Sequence, residues 1–350
     1  MRKKSYKMKW FLLGLAIVLL SGCGEEGKQD VNNSSKREVS YEVRYSGRVG
    51  LLVEEGELKE SGVVFKDAPI DFQDEVVEEM LRNLIGKSEG EVYISELQEI
   101  HAIYWRNDNY WSNLQSPDGC LPHVSGCEEG PWETKQPETL VDFTYCYNLQ
   151  WMEFGRIDVP SLKPLWELPQ LESLNFESAS VTEERLSEIG GFPFVNSFRV
   201  GVYDAYAGVN WGNLTDGSFL LPIADQLVFL KAYGGIDWNP KVLSQMKNME
   251  ILSIDNPKDV SFLNYMPKLE KLHIYCGTVE DWSPLGGLDN LKELEIMGTG
   301  QYTVEIGLED VSQLKNLDYL EIWNTTLGSE HSREEIAEAL PSLTGLYVQY

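Results

Sequence analysis

Basic residues are scarce in this sequence. Of 350 residues, 29 are Lys or Arg and 56 are Asp or Glu, so the formal net charge at pH 7 is −27. A nucleic-acid partner is disfavoured, because binding a polyphosphate needs a local excess of Lys and Arg. Disorder is disfavoured as well, since 42% of the residues are hydrophobic and 11% are aromatic. The chain therefore has enough apolar material for one large or two ordinary domains.

Residue patterns associated with catalysis are also missing. The sequence has four histidines and contains no H-E-x-x-H, G-x-S-x-G, phosphate-loop or Rossmann glycine pattern. It also lacks the D-x-D-x-D-G pattern of a calcium loop. We therefore expect a protein that is not an enzyme and that needs no cofactor or metal ion.

The N-terminus has the features of an export signal. Residues 1–22 place five basic residues before an apolar run from Trp10 to Leu20, which is too short to span a bilayer comfortably. The run ends in Leu-Ser-Gly-Cys23, which resembles the lipobox of bacterial lipoproteins. This resemblance implies that Cys23 is acylated and becomes the first mature residue. The alternative is an ordinary cleaved signal that a cysteine follows by chance.

Cleavage before Cys23 would make the chain more acidic still. It removes five basic and no acidic residues, which leaves 24 basic and 56 acidic residues and a net charge of −32. Residues 23–38 comprise this cysteine and a stretch rich in Gly, Ser, Asn and charge, which is typical of a flexible tether. We therefore expect an exported protein that a lipid anchors at the outer face of the bacterial cell membrane.

A repeat dominates the rest of the sequence. The pattern L-x-x-L-x-[LIFV] begins at nine positions, with spacings of 22, 24, 32, 22, 20, 22, 26 and 26 residues. The nine first residues are Leu149, Leu171, Val195, Leu227, Met249, Leu269, Leu291, Leu317 and Leu343. Each segment predicts a short strand with alternate apolar residues. Because no single unit can bury its apolar face, neighbouring units are expected to stack into one core.

This pattern resembles the leucine-rich repeat family, and the 22-residue spacing is similar to that of the internalin subclass. The resemblance covers residues 63–350 and implies an α/β solenoid with parallel β-strands on its concave face and an N-terminal helical cap. The chain departs from the family where an Asn usually follows the strand. The residues at those positions are Ile157, Ala179, Tyr203, Gly235, Pro257, Gly277, Thr299 and Thr325. The backbone donors of these turns must therefore find other partners.

The pattern also sets the internal boundaries. Residues 39–100 are predicted to hold a strand-prone segment and the helical cap, and residues 101–350 the repeat domain. In the cap, six apolar residues share one helical face, two Asp residues are candidate N-caps and a Gly ends the helix: Val76, Val77, Met80, Leu81, Leu84 and Ile85; Asp71 and Asp74; Gly86. Residues 105–139 and 203–225 interrupt the period and are predicted to form surface excursions. The capping-box spacing of Ser332 and Glu335 predicts a helix over 332–340.

Candidate binding residues lie between the inward positions, because alternate residues of a strand face opposite sides of the sheet. Four aromatic residues are predicted to form an exposed row on the concave face, and four polar residues lie among them: Tyr233, Tyr275, Trp323 and Tyr347; His273, Asp255, Glu295 and Glu321. Exposed rings bring contact area at small entropic cost, and carboxylates favour a basic partner. The alternative is that the rings only stabilise packing between strands.

Three functions follow from this surface. By analogy with internalin-like adhesins, the concave face is expected to bind a macromolecule, most simply a protein. The alternatives are an envelope glycan-binding module, in which the same rings stack on sugars, and a structural spacer without a ligand. Glu295 and Glu321 lie on adjacent coils and could act as the acid and the nucleophile of a glycosidase. A solvated acidic face accounts for the same two residues more simply.

The cysteines other than Cys23 divide by context. Cys120 and Cys127 lie seven residues apart in an excursion of an exported protein, which predicts a small disulfide loop. His123 lies between them, so a metal site is the alternative. Cys146 occupies an inward position and is predicted to be a buried free thiol. Cys276 has no evident partner.

Overall fold

Each of the nine repeat segments forms a β-strand in the computed structural model, and each strand begins two residues after the first residue of its pattern. The structure describes residues 60–106, 109–112, 136–155, 157–177, 181–201, 216–234, 236–275, 278–298 and 303–349. All of them lie in one of the two units into which the chain divides, the unit that comprises residues 60–115 and 127–350.

The strands form one sheet. They are β1 Ala102–Arg106, β2 Asn109–Ser112, β3 Trp151–Gly155, β4 Ser173–Glu177, β5 Ser197–Gly201, β6 Phe229–Ala232, β7 Ile251–Asp255, β8 Lys271–Tyr275, β9 Glu293–Met297, β10 Tyr319–Trp323 and β11 Gly345–Gln349. The order across the sheet is β11 to β3 in sequence, then β1 and β2. Ten strands run parallel, and β2 pairs antiparallel with β1. This is a leucine-rich repeat solenoid, so the predicted fold class is confirmed.

Short helices precede the first strand and connect the later ones. The α-helices are α1 Glu75–Leu84, α2 Glu183–Ser187, α3 Pro240–Leu243, α4 Leu308–Val311, α5 Thr326–Glu330 and α6 Arg333–Ala339. The 3-10 helices are Ile94–Leu97, Val141–Tyr145, Lys163–Glu167, Glu188–Gly191, Ser218–Ile223, Ser261–Tyr265 and Ser283–Gly287. α1 and Ile94–Leu97 precede β1 and lie in the N-terminal cap, whereas the other helices form the return limbs of the coils, and their buried apolar residues complete the core.

The core is a continuous stack of inward side chains. In the first coils it is aromatic: the ring centroids of Phe154 and Phe176 lie 5.3 Å apart, and those of Phe176 and Phe198 lie 5.6 Å apart. In later coils Leu and Ile replace the aromatic residues, and these side chains are buried except for Leu346 of the last strand, which is half-buried. Cys146 is a buried free thiol, as predicted, and burial raises its pKa.

The helical cap is confirmed where it is described. Asp74 is the N-cap of α1, and its carboxylate accepts hydrogen bonds from the backbone N–H groups of Val76 and Val77 at 2.9 and 3.1 Å. The buried carboxylate of Asp142, from the first coils, accepts the backbone N–H groups of Gln73 and Asp74 at 3.0 and 2.9 Å. These bonds join the cap to the repeats. Burial raises the pKa of Asp142, and the neighbouring Asp74 carboxylate adds to that effect.

Two further helix signals in the sequence have clear outcomes. Gly86 follows the end of α1 with a φ of +71°, a backbone conformation that glycine adopts without strain. The predicted capping box begins α6, because the Ser332 hydroxyl accepts from the Glu335 N–H and the Glu335 carboxylate accepts from the Ser332 N–H. The helix predicted over 332–340 is therefore confirmed.

Both predicted excursions are shorter than expected where the structure describes them. Residues 109–112, within the first excursion of 105–139, form β2, because Asn-Tyr-Trp-Ser includes two aromatic residues that favour strands. Residues 216–225, at the end of the excursion of 203–225, form part of a return limb with Phe219, Leu220 and Ile223 buried. The prediction of a surface loop was wrong for residues 216–225, since the buried side chains of Phe219, Leu220 and Ile223 complete the core.

Asparagine side chains bind successive coils together from a position that the family pattern did not indicate. Asn248, Asn290 and Asn316 each precede the first residue of a repeat pattern. Their amides donate to backbone carbonyls of the preceding coil, those of Asp225, Pro267 and Asp289, all at 2.7 Å. These side-chain amides therefore link successive coils by satisfying backbone acceptors, not the backbone donors of the turns that follow the strands.

Candidate functional site

The concave surface is formed by the residues that alternate with the inward ladder. The fifth residue of each pattern lies at the middle of its strand or one residue beyond, and we call these nine residues the central row. They are Glu153, Asn175, Arg199, Lys231, Ser253, His273, Glu295, Glu321 and Tyr347. The first seven are between 0% and 6% exposed, Glu321 is half-buried and Tyr347 is 41% exposed. The surface therefore opens only toward its C-terminal end.

His273 and Glu295, which were predicted as binding residues of the concave face, are both buried and are not directly available to a partner. His273 lies in register with Ser253 on one side and Glu295 on the other. Neighbouring strands are about 4.8 Å apart, so long side chains on adjacent strands cover one another. The sequence pattern identifies the face on which a residue lies but not the depth at which neighbours cover it.

The aromatic residues form two separate pairs instead of one row. The rings of Tyr233 and Tyr275 meet edge to face, with centroids 5.1 Å apart and an interplanar angle of 77°. The rings of Trp323 and Tyr347 lie 5.7 Å apart at 34°. Met297 takes the register position between Tyr275 and Trp323. All except Tyr347 are half-buried, so the predicted exposed row is replaced by two partly accessible pairs.

Two carboxylates lie beside these rings. Glu321 accepts hydrogen bonds at both oxygens, from the Tyr319 hydroxyl and from Trp323 Nε1, each at 2.6 Å. Glu295 lies in register with Glu321 and accepts from the Tyr275 hydroxyl at 3.2 Å. Burial raises the pKa of Glu295, and the charge of Glu321 adds to that effect. Aromatic donors therefore hold both acidic groups in fixed positions.

A third carboxylate, that of Glu293, lies two residues before Glu295 on β9, and its charge is balanced within the protein. Glu293 receives Lys271 Nζ at 3.0 Å at one oxygen and His273 Nε2 at 3.0 Å at the other. Burial disfavours the charged carboxylate, but the hydrogen bond and charge of His273 and the charge of Lys271 outweigh it and lower the pKa of Glu293 to about 2. Sequence reasoning did not single out Glu293 or Lys271. The sequence did indicate this ion pair, because Lys271 and Glu293 are the third residues of two successive patterns and therefore lie side by side on adjacent strands.

We call Tyr275, Glu295, Glu321, Trp323 and Tyr347 the C-terminal concave surface. It combines two fixed carboxylates with three partly accessible rings, on four neighbouring strands. Asp255 and Tyr233, which were predicted as part of the same site, have structural contacts at its margin. Asp255 accepts from the backbone N–H of Gly234 at 3.1 Å, and the Tyr233 hydroxyl is hydrogen-bonded to the Ser253 hydroxyl.

The opposite end of the concave face has a different chemistry. The guanidinium of Arg199 lies 5.0 Å from the centroid of the Trp151 ring and 4.9 Å from that of Phe229, so it is placed between two aromatic faces. Nearby, the Asn175 amide donates to Glu153 at 2.9 Å. These side chains are buried and contact one another, which leaves little of this region for a partner.

The described part of the chain contains no cluster of three or more His, Cys, Asp or Glu side chains arranged to hold a metal ion. Within the same residues, no helix has both the length and the apolar character needed to cross a membrane. Cys23, Cys120, Cys127 and Cys276 lie outside the described residues. The acylation, the disulfide and the alternative metal site predicted for them therefore stay predictions.

Asparagines in the turns were also missed. Asn256 and Asn324 have φ values of +50° and +47°, each one residue after its strand ends. Their backbone N–H groups donate to the next coil, to the carbonyls of Tyr275 at 2.8 Å and Gln349 at 2.9 Å. Asn tolerates this left-handed conformation better than most residues. Both residues stand at the eighth position of their repeat patterns, so an Asn at that position was the sequence signal that predicts these turns.

Comparison with known proteins gives structural neighbours only. No family model matches the chain, and no curated protein matches it. An internalin C2 from Listeria monocytogenes is 19% identical over 75% of this chain and 99% of its own, with a TM-score of 0.48. An internalin (inlF) from the same species is 16% identical, covers 79% of this chain and 89% of its own, and has a TM-score of 0.42. A Toll–Spatzle complex from Drosophila is 14% identical over 59% of this chain and 30% of that chain, with a TM-score of 0.43.

The likeness to these proteins is one of architecture alone. Ten parallel strands with one strand per coil are present in the chain itself, and the fold assignment rests on that ladder.

Proposed function

We propose that this chain is an exported, lipid-anchored bacterial protein whose C-terminal concave surface binds a partner protein with basic side chains. The observation that carries the proposal is the gradient along the central row, which leaves Glu321 and Tyr347 accessible while the earlier members are buried. A binding surface needs accessible groups whose positions are fixed before the partner arrives. Only the C-terminal end of the described central row meets that condition.

The groups at this end suit a cationic side chain. Glu321 is held by two short hydrogen bonds and lies in register with Glu295, so negative charge is concentrated between two strands. The rings of Trp323 and Tyr347 lie beside it and can stack on an Arg or Lys side chain. The net charge of −27 would also steer a basic partner toward the protein, and salt would weaken that attraction.

The anchor rests on the sequence. The basic segment, the apolar run and the Leu-Ser-Gly-Cys23 ending favour export and acylation. Expression of the full chain in a bacterial host tests this directly. The parent should fractionate with membranes and yield an acylated N-terminal peptide by mass spectrometry, whereas Cys23→Ser should yield neither. A parent chain that is released without a lipid would contradict the anchor and leave the binding surface to be tested separately.

Binding is tested with the full chain in detergent, immobilised and exposed to envelope and host-cell extracts. The test variant is Trp323→Ser with Tyr347→Ser. The matched control is Tyr265→Ser, which removes a ring that is 55% exposed in a return limb, away from the sheet. Circular dichroism and thermal unfolding would first establish that all three proteins fold.

The expected result is a protein that the parent and the control retain, that the test variant loses, and that 0.5 M salt elutes. If the species that the parent and the control retain and the test variant loses is a glycan, the partner is a sugar that stacks on the rings and not a protein. Retention of the same species by the parent and the test variant would show that the rings serve sheet packing, and the proposal would be wrong.

A further inference from the structure

His273 has a carboxylate at each ring nitrogen. Nε2 lies 3.0 Å from Glu293 Oε1, and Nδ1 lies 3.5 Å from Glu295 Oε2. The imidazole is 1% exposed, and Glu295 is 4% exposed. Within the described part of the chain, Nδ1 forms no hydrogen bond. The buried ring is therefore satisfied on one side and faces an acceptor on the other.

A neutral imidazole cannot satisfy both sides. It has one N–H group, and the short contact to Glu293 requires that group on Nε2. Nδ1 would then present a lone pair to a carboxylate oxygen in a buried setting, which is unfavourable. One additional proton resolves the conflict, whether it is located on Nδ1 or on Glu295, because either arrangement produces a donor and an acceptor across this contact.

We propose that His273 and Glu295 share one proton, and that a basic partner expels this proton when it binds to the C-terminal concave surface. The second half of this inference rests on the proposed function. The first half concerns the pair alone. Glu295 connects the two, since it faces His273 on one side, accepts from Tyr275 and lies in register with Glu321 on the other.

The charges around the pair favour this arrangement. Its own strand contributes Lys271 and Tyr275, the two strands on one side contribute Glu293, Tyr319 and Glu321, and the two strands on the other side contribute Asp255, Lys231 and Tyr233. The four carboxylates of this group, Glu293, Glu295, Glu321 and Asp255, outnumber the two cations Lys271 and Lys231, so a proton on the pair reduces the repulsion among the carboxylates. The raised pKa of Glu295, which burial causes, acts in the same direction.

A cation at the surface competes with the shared proton. If a partner places an Arg or Lys on the accessible carboxylate of Glu321, which lies in register with the buried Glu295, it supplies the positive charge that the proton had supplied. Binding then releases up to one proton, and the affinity for a basic ligand rises with pH. For one linked proton, the dissociation constant falls by at most about tenfold per pH unit across the titration.

The shared proton can be observed without a ligand. In the full chain with ¹⁵N-labelled histidine, the ring-nitrogen chemical shifts report which nitrogens carry protons, and His273→Gln identifies the signals of His273. At pH 7 we expect protonated Nε2 and a shift at Nδ1 that shows a shared or bound proton. In Glu295→Gln the amide donates to Nδ1, so the shift should become that of a neutral ring.

Two outcomes of this measurement would overturn the proposal. One is an Nδ1 that is fully deprotonated at pH 7 in the parent. The other is a pH titration of His273 that Glu295→Gln leaves unchanged. His331→Gln, which alters a histidine at the end of α5, is the control and should leave the signals of His273 in place.

Proton release is measured with a capped hexa-arginine peptide as the probe. Titration calorimetry in two buffers with different ionisation enthalpies gives the number of protons released. The parent should release up to one proton, and His273→Gln should release none and lose the pH dependence of its affinity. Equal proton release by both proteins would overturn the linkage.

The peptide experiment separates the two proposals. If Trp323→Ser binds the peptide as tightly as the parent does, the proposed binding surface is wrong, and proton release on binding is wrong with it. The ring-nitrogen shifts would still decide whether His273 and Glu295 share a proton.

Discussion

The two ends of the concave face use the same strand geometry for different purposes. Between β3 and β6, Arg199 is buried between the rings of Trp151 and Phe229. Between β8 and β11, Glu321 is half-buried and Tyr347 is 41% exposed. The first group of side chains is buried and packed within the protein, whereas the second keeps charge and ring surface in contact with solvent.

The difference follows from which side chains meet across neighbouring strands. At the N-terminal end a cation lies between aromatic faces, a pairing that is stable when solvent is excluded. At the C-terminal end carboxylates meet carboxylates, and such a cluster is more stable where water or a partner can reach it. A substitution in the first region should therefore act on folding, and one in the second on binding.

The largest expected effect comes from Arg199→Ala. The substitution removes a buried side chain from between two rings and leaves a cavity, which we expect to lower the free energy of unfolding by about 3 kcal/mol. Urea unfolding of parent and variant measures the change. Arg199→Lys keeps the charge and should lose about half as much. A loss below roughly 1 kcal/mol for Arg199→Ala would contradict the assignment of this region to stability.

Acid should act on the C-terminal region through Glu293. Its pKa is about 2 in the folded protein against an ordinary value of 4.5. Because the folded pKa is the lower one, the charged carboxylate stabilises the fold above about pH 4.5, and this contribution is lost as the pH falls toward 2. The shift corresponds to roughly 3 kcal/mol, which partial exposure reduces to about 2 kcal/mol.

Unfolding of the parent and of Glu293→Gln at pH 6 and pH 3 measures this contribution. The variant should lose less stability between the two pH values than the parent does. Glu295→Gln is the opposing control, because the raised pKa of Glu295 means that its charged form disfavours the fold as the pH rises. An equal pH dependence in parent and Glu293→Gln would show that Lys271 and His273 do not stabilise this carboxylate.

A smaller effect is expected from the amide ladder between coils. Asn290→Ala removes a 2.7 Å hydrogen bond to the Pro267 carbonyl and should lower the free energy of unfolding by about 1 kcal/mol. Because the bond joins the Asn290 side chain to a backbone carbonyl and involves no concave side chain, partner binding should be unchanged. Thermal unfolding and the binding assay together check both parts, and a loss of binding at unchanged stability would contradict them.

The sequence predicts the strand ladder well because the evidence for it is repeated. Nine patterns place apolar residues at the same alternate positions, and each position independently requires a buried neighbour. The N-cap of α1 and the capping box of α6 were predicted for a different reason, because each is a local signal formed by residues that are neighbours in the sequence. β1 lacks the Leu pattern and was missed, although its residues Ala102–Arg106 pair with β3 as a regular coil.

The accessibility of the concave side chains could not be predicted in the same way. The burial of His273 depends on Ser253 and Glu295, residues that lie 20 and 22 positions away in the sequence and meet it only through strand register. A pattern assigns each residue to a face, but depth depends on the sizes and charges of side chains on both neighbouring strands. The pairing of Trp323 with Tyr347 likewise needed the structure.

The smallest expected effect on stability, and the sharpest test of the comparison, comes from Tyr347→Ser. The Tyr347 ring is 41% exposed, and its contacts are Trp323 at 5.7 Å and a hydroxyl bond to Gln349 at 3.0 Å, so unfolding should change by about 0.5 kcal/mol. Binding of the partner should weaken at least about tenfold, since an exposed ring beside a fixed carboxylate contributes most to contact. Tyr265→Ser should change neither quantity appreciably. If Tyr347→Ser destabilises the fold as much as Arg199→Ala does, the two ends of the concave face have the same role, and the partner must bind elsewhere.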